Sequence, residues 1–137
     1  MSQRQEANSI LLVVESNEEI RSGMKRLLEM SGYRVAAVAN EQEAVEVAPH
    51  EHPDLILLDA SLPPPESLSA AHRLHQYAEL HAVPLIVISV HRQAELSATL
   101  NPQLDDFTVG YITEMSRFDQ VEELIGRLLA KQSHKLD

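Results

Sequence analysis

The sequence predicts an α/β domain in which a parallel sheet is covered by helices on both faces. Three observations carry this expectation. Short aliphatic runs (ILLVV at 10–14, LILLD at 55–59, PLIVIS at 84–89) alternate with stretches of helical periodicity. The runs are apolar throughout, as in strands buried on both sides, rather than alternating polar and apolar. The alternation recurs five times within 137 residues, and strands joined by helical crossovers pair in parallel.

The elements follow in order. Residues 1–9 are polar and read as a tail. ILLVV at 10–14 is the first strand and runs into the acidic, turn-prone ESNEE. Ile20, Met24, Leu27 and Leu28 then recur at helical spacing, with Arg21, Lys25 and Glu29 between them. Ser16 or Asn17 can cap this helix, and the acids at 18 and 19 suit its N-terminal dipole. Gly32 is the expected left-handed residue after its end. Residues 33–39 form a second strand, and Asn40 caps a helix over 41–48, with Pro49 through Pro53 as its exit. DLILLD at 54–59 is the third strand, followed by prolines and a helix from Glu66 to about Leu80. A fourth strand at 84–89, a weaker helix at 92–100 and a fifth strand at 108–113 come next. The last helix, about 117–132, carries the apolar stripe Phe118, Val121, Leu124, Ile125, Leu128 and Leu129. Residues 10–132 thus read as one domain, with a short tail at 133–137.

Composition narrows the function. With no cysteine, disulfides, thiolate metal sites and thiol catalysis are excluded, and the chain suits a reducing cytoplasm. A formal charge of −10 argues against nucleic acid as a direct partner, which would want a basic face. No apolar run approaches the roughly 18 residues of a membrane span, and the polar start is not that of a signal peptide. There is neither a GxGxxG nor a GxxxxGK[ST] phosphate loop, and no GxSxG elbow.

In an open parallel sheet, sites form just beyond the carboxyl ends of the strands. Glu15 and Ser16 stand there after the first strand, Asp59 at the end of the third, Ser89 at the end of the fourth, and Glu114 after the fifth. The motifs ILLVVES, HPDLILLDASLP, VPLIVIS and GYITEMSRFDQVEELI occur in this order over about residues 10–130. In this order and spacing the chain resembles a response-regulator receiver domain of two-component signalling. The resemblance implies the flavodoxin-like doubly wound (βα)5 fold, with strand order 2-1-3-4-5.

The resemblance also implies roles. Asp59 falls on the phosphoacceptor, whose carboxylate takes a phosphoryl group from a histidine kinase, a phosphotransfer protein or a small donor. Ser89 falls on the hydroxyl that hydrogen-bonds the phosphoryl group, and Tyr111 on the aromatic residue of the switch. Glu15 and Ser16 fall on the acidic pair that holds Mg²⁺, which also takes Asp59 and the backbone carbonyl of Ser61. Ser61 and His91 fall on two variable positions that tune loss of the phosphoryl group. Glu114 falls on the lysine that pairs with the phosphoryl group, and Met115 on the proline that follows it.

Two substitutions bear on the chemistry. Phosphoryl transfer depends on positive charge around the transferring oxygens. A neutral Ser16 is a weaker ligand for Mg²⁺ than a carboxylate. Glu114 reverses a charge. Two unit charges about 4 Å apart interact by roughly 4 kcal/mol at an effective dielectric of 20, so the reversal acts against a phosphorylated state. Arg92 and Arg117 are candidate replacement cations. His72 and His75 stand three apart on a helix with no third ligand evident, and read as a wet helix face.

The expectation is therefore a stand-alone, atypical receiver domain that is phosphorylated on Asp59 and signals through a downstream effector protein. It catalyses only its own phosphorylation and dephosphorylation, and it can self-associate through residues 92–130. The alternative is a pseudo-receiver, a phosphorylation-independent interaction module. Asp59, Ser89 and Tyr111 favour the first; Ser16, Glu114 and Met115 favour the second.

Overall fold

The structure, a computed structural model, describes residues 9–59, 66–88, 108–112 and 118–136. Five strands form one sheet: β1 (Ile10–Val14), β2 (Arg34–Val38), β3 (Leu55–Asp59), β4 (Leu85–Ile88) and β5 (Thr108–Ile112). Their order is β2-β1-β3-β4-β5 and every pairing is parallel, the doubly wound arrangement expected from the sequence. Four helices lie among the described residues: α1 (Glu18–Met30), α2 (Glu41–Glu51), α3 (Glu66–His75) and α4 (Phe118–Leu136). The helix expected at 92–100 lies outside the described residues.

The central strands β1, β3 and β4 are almost wholly apolar because both their faces are covered. Leu11, Val13, Leu55, Leu57, Ile86 and Ile88 pack with Met24 and Leu28 of α1 and with Val121, Ile125, Leu128 and Leu129 of α4. The alternate residues Leu12, Val14, Ile56, Leu58, Leu85 and Val87 pack with Ala44 and Ala48 of α2 and Leu74 of α3. Side chains alternate across a strand, so each central strand feeds two cores. Polar ties fasten the helices at their ends. Ser31 at the end of α1 donates its hydroxyl to Glu122 of α4, and Arg73 of α3 pairs with Glu41 of α2.

Caps fall where the side chains can make them. Asn17 Oδ1 accepts from the Ile20 amide at 3.0 Å and Asn40 Oδ1 from the Glu43 amide at 2.9 Å. Of the two candidates at the start of α1, Asn17 is therefore the cap. α1 closes with the Gly32 amide on Glu29 O and the Tyr33 amide on Leu28 O, with Gly32 at φ 100. This is a Schellman ending, which requires the left-handed residue that glycine adopts without a Cβ clash.

Helix lengths depart from expectation in three places. α2 continues through Pro49 to Glu51 and ends on His52 at φ 50, whose amide reaches Ala48 O at 2.9 Å. Proline in the last turn removes one donor but leaves that final bond intact. α3 stops at His75 rather than near Leu80, and a chain of turns follows, with the Tyr77 amide on Leu74 O and the Leu80 amide on Tyr77 O. His75 is buried there, its Nε2 3.0 Å from Val83 O, so the wet face expected of His72 and His75 holds for His72 alone. α4 runs to Leu136, beyond the expected end near 132.

Candidate functional site

The strand order reverses its winding between β1 and β3, which opens a crevice at their carboxyl ends. The β1–β3 register pairs Val14 with Leu58. One residue further along each chain stand Glu15 and Asp59. Each has the side-chain parity of the face that α1 and α4 cover, since Val13 and Leu57 belong to that core. The fold therefore sets two carboxyl groups next to each other at the switch point.

Glu15 is 5% exposed, although it is an acid at a strand end. Its amide continues the ladder to Val38 O at 3.0 Å, and its Oε1 accepts from the Asn17 amide at 3.0 Å. Its side chain also lies within reach of the Asp59 carboxyl. The longer stem of glutamate thus curls back over the turn and still reaches the acid on β3. Asp59 is half-buried and is paired in register with Ile88. Burial, the hydrogen bond with Glu15 and repulsion by the Glu15 charge together push the Asp59 carboxyl up to about 8. A cation bound at this site would favour the ionised form of Asp59 instead.

Of the other expected site residues, Ser16 is exposed on the turn between β1 and α1. Tyr111 lies on β5 in register with Val87. Glu18 and Glu19 are exposed in the first turn of α1. Ser61, Ser89, His91, Arg92, Glu114, Met115 and Arg117 lie outside the described residues. Two residues at the site were not singled out for it from the sequence. Asn17 gives its amide to Glu15, and Arg21 donates from Nη1 to Glu15 O at 2.9 Å and, at 3.5 Å, to Ser16 O. Both contacts depend on how the turn folds back, and no motif signals them.

Among the described residues no three His, Cys, Asp or Glu side chains gather to hold a metal. The paired carboxylates are nevertheless a donor set that fits a hard divalent cation. Mg²⁺ takes one or two carboxylates and fills its octahedron with other oxygens and water, and at this site it would offset the repulsion that Glu15 exerts on Asp59. No helix among the described residues is long and apolar enough to cross a membrane.

Comparison with known proteins agrees with this fold. The family profile described as "Response regulator receiver domain" matches residues 11–115. The polar-differentiation response regulator DivK of Brucella ovis is 34% identical over 79 residues, 58% of this chain and 64% of that protein. The chain thus spans about 64% of the length of the curated relatives it matches. The receiver domain of sensor histidine kinase PA1611 from Pseudomonas aeruginosa PAO1, whose structure has a magnesium ion coordinated in the active site cleft, shares the fold. Its TM-score is 0.70 at 24% identity, covering 90% of this chain and 98% of that one. Response regulator TrrA from Thermotoga maritima, solved in complex with Mg²⁺ and BeF, has a TM-score of 0.65 at 22% identity, covering 88% and 98% of the two chains. The profile match over most of the chain, on a sheet of this order, shows that the chain belongs to the response-regulator receiver domain family of two-component signalling.

Proposed function

We propose that this receiver domain accepts a phosphoryl group on Asp59 and passes the signal to a partner protein. The observation that carries the proposal is the pairing of Asp59 with the buried Glu15 at the switch point of the sheet. The Asp59 carboxylate is half-buried there. One Asp59 oxygen attacks phosphorus as the bond to the donor breaks, a P–N bond for a phosphohistidine or phosphoramidate and a P–O bond for acetyl phosphate. The product is an acyl phosphate on Asp59, and the donor leaves with the electron pair of the broken bond. Asp59 must be ionised to attack, so the proton that its raised carboxyl holds has to go first.

Glu15, Asp59 and the Ser61 carbonyl would hold Mg²⁺, with Ser16 at the position of a further ligand. The ion, when bound, supplies positive charge to the transferring oxygens. Ser89 would donate to the phosphoryl group, Tyr111 would report its presence, and Glu114 stands where a lysine would pair with it. The chain in this reading is no enzyme beyond its own phosphorylation and dephosphorylation. Its partners are a sensor histidine kinase or phosphotransfer protein upstream and an effector downstream, in the cytoplasm, with residues 92–130 as a face for self-association. A pseudo-receiver that binds its partner without phosphorylation is the second reading, favoured by the neutral, exposed Ser16 at the ligand position.

Intact-mass measurement tests the first reading. After incubation with Mg²⁺ and acetyl phosphate or phosphoramidate, the wild type should gain one phosphoryl group and Asp59→Asn none. A wild type that gains nothing from these donors or from a cognate kinase leaves the second reading in possession.

A further inference from the structure

We infer that Arg21 is a positioning residue of this site, whose guanidinium clamps the turn that carries Glu15 and Ser16. The inference rests on the reading of Glu15 and Asp59 given above. Arg21 sits in the first turns of α1, and its own amide makes an early bond of that helix, to Asn17 O at 2.8 Å. Its side chain reaches back six residues to Glu15 O at 2.9 Å and extends to Ser16 O at 3.5 Å. The turn is therefore fixed from three directions. The Glu15 amide is tied to Val38 O on β2, the Glu15 carboxylate to the Asn17 amide, and the Glu15 carbonyl to Arg21.

These ties depend on one another. The carbonyl that Arg21 holds belongs to the peptide linking Glu15 to Ser16. Rotation of that peptide would swing the Asn17 amide away from Glu15 Oε1 and change the direction of the Ser16 side chain. The guanidinium suits this work because it is planar, always charged and offers several donors in a fixed fork. The contacts it makes here are to main-chain oxygens, so it acts on geometry. The consequence matters more in this chain than it would beside two acidic ligands. With serine at position 16, Glu15 is the acid that β1 contributes, and its orientation decides whether the crevice presents two convergent carboxylates.

The test uses Arg21→Met, which keeps the stem without donors, and Arg21→Lys, which restores one. Three quantities are measured: the Mg²⁺ dissociation constant, the urea midpoint, and the exchange rate of the Asn17 amide in Mg²⁺-free protein. Arg21→Met should weaken Mg²⁺ binding by about tenfold or more, the range for residues that orient metal ligands. It should speed Asn17 exchange relative to the amides of β1 and leave the urea midpoint near that of the wild type. Arg21→Lys should recover part of both losses. Unchanged Mg²⁺ affinity with unchanged Asn17 exchange would overturn the inference. So would an affinity loss that merely follows a fall in global stability in both variants. If the wild type binds no Mg²⁺, the reading of the site fails and takes the metal half of this inference with it. The clamp itself still stands or falls on Asn17 exchange, which needs no metal.

Discussion

Asp59 and Glu15 place two carboxyl groups where solvent is scarce, and the arrangement has a consequence for stability that can be measured without any phosphodonor. Asp59 is held at about 8 in the folded chain against 3.8 as its ordinary value, through burial first and Glu15 second. Between those values the folded state keeps a proton that the unfolded state has released. Stability linked to this proton is complete below 3.8 and is lost as pH rises through about 8. Because Asp59 is only half-buried, solvent screening reduces the effect to about 1–2 kcal/mol. Asp59→Asn removes the titration, so its urea stability should exceed that of the wild type at pH 8 by about that amount, with a smaller difference at pH 5. The other ionisable groups are common to both proteins and cancel in the difference. A variant whose stability ran parallel to the wild type from pH 5 to pH 8 would show that the acid pair is not the source. Asp59 and Glu15 were legible in the sequence because an acid that ends an apolar strand is conspicuous. Arg21 was not, because its contact is set by the backtracking of a turn, and helical spacing had already assigned it to a polar face.

At the scale of the element, two glycines of the α1 region should respond in opposite directions. Gly32 holds φ 100 at the Schellman ending, where an L-residue brings its Cβ against the backbone. Gly32→Ala should lower stability by about 1 kcal/mol. Gly23 lies inside α1, and a Cβ built there meets nothing within 4 Å. Gly23→Ala should raise stability by about 0.5–1 kcal/mol through the helix preference of alanine. Urea midpoints of the two variants check both signs, and a loss at Gly23 would mean that this face of α1 is covered by something. The same caps explain which boundaries could be read in advance. Asn17, Asn40 and Gly32 announce ends through local chemistry, and α1 begins and stops where they stand. Pro49 predicts an exit from α2 after residue 48, yet the helix continues to Glu51. In a last turn it removes only one donor, and the left-handed His52 sets the end instead. The spacing of Leu68, Ala71, Leu74 and Ala78 predicts a helix to about Leu80, but the chain leaves the helix after His75. Leu80 is indeed buried, but it reaches the core from a turn rather than from a helix.

For the whole molecule, the central strand decides how the two helical layers are coupled. β3 lies between β1 and β4, and its side chains alternate between the cores. Leu57 faces the layer of α1 and α4, while Ile56 faces the layer of α2 and α3, and both are fully buried. Truncating either to alanine removes buried methyl groups and leaves a cavity, with a loss of about 2–5 kcal/mol. Against a total stability of about 5–15 kcal/mol for a domain of ordinary size, either change is large enough to shift the transition clearly. The sheet is shared, so a loss on one face should weaken both. In Leu57→Ala and in Ile56→Ala, amide signals of Leu28 in α1 and of Ala44 in α2 should disappear at one common urea midpoint, lower than in the wild type. Separate midpoints for the two layers would show that β3 does not couple them. The Glu15–Asp59 crevice would then belong to the α1 and α4 layer alone, since both its acids point to that face. A single midpoint means instead that the crevice draws on the stability of the entire domain, and that an event at Asp59 is felt on both sides of the sheet.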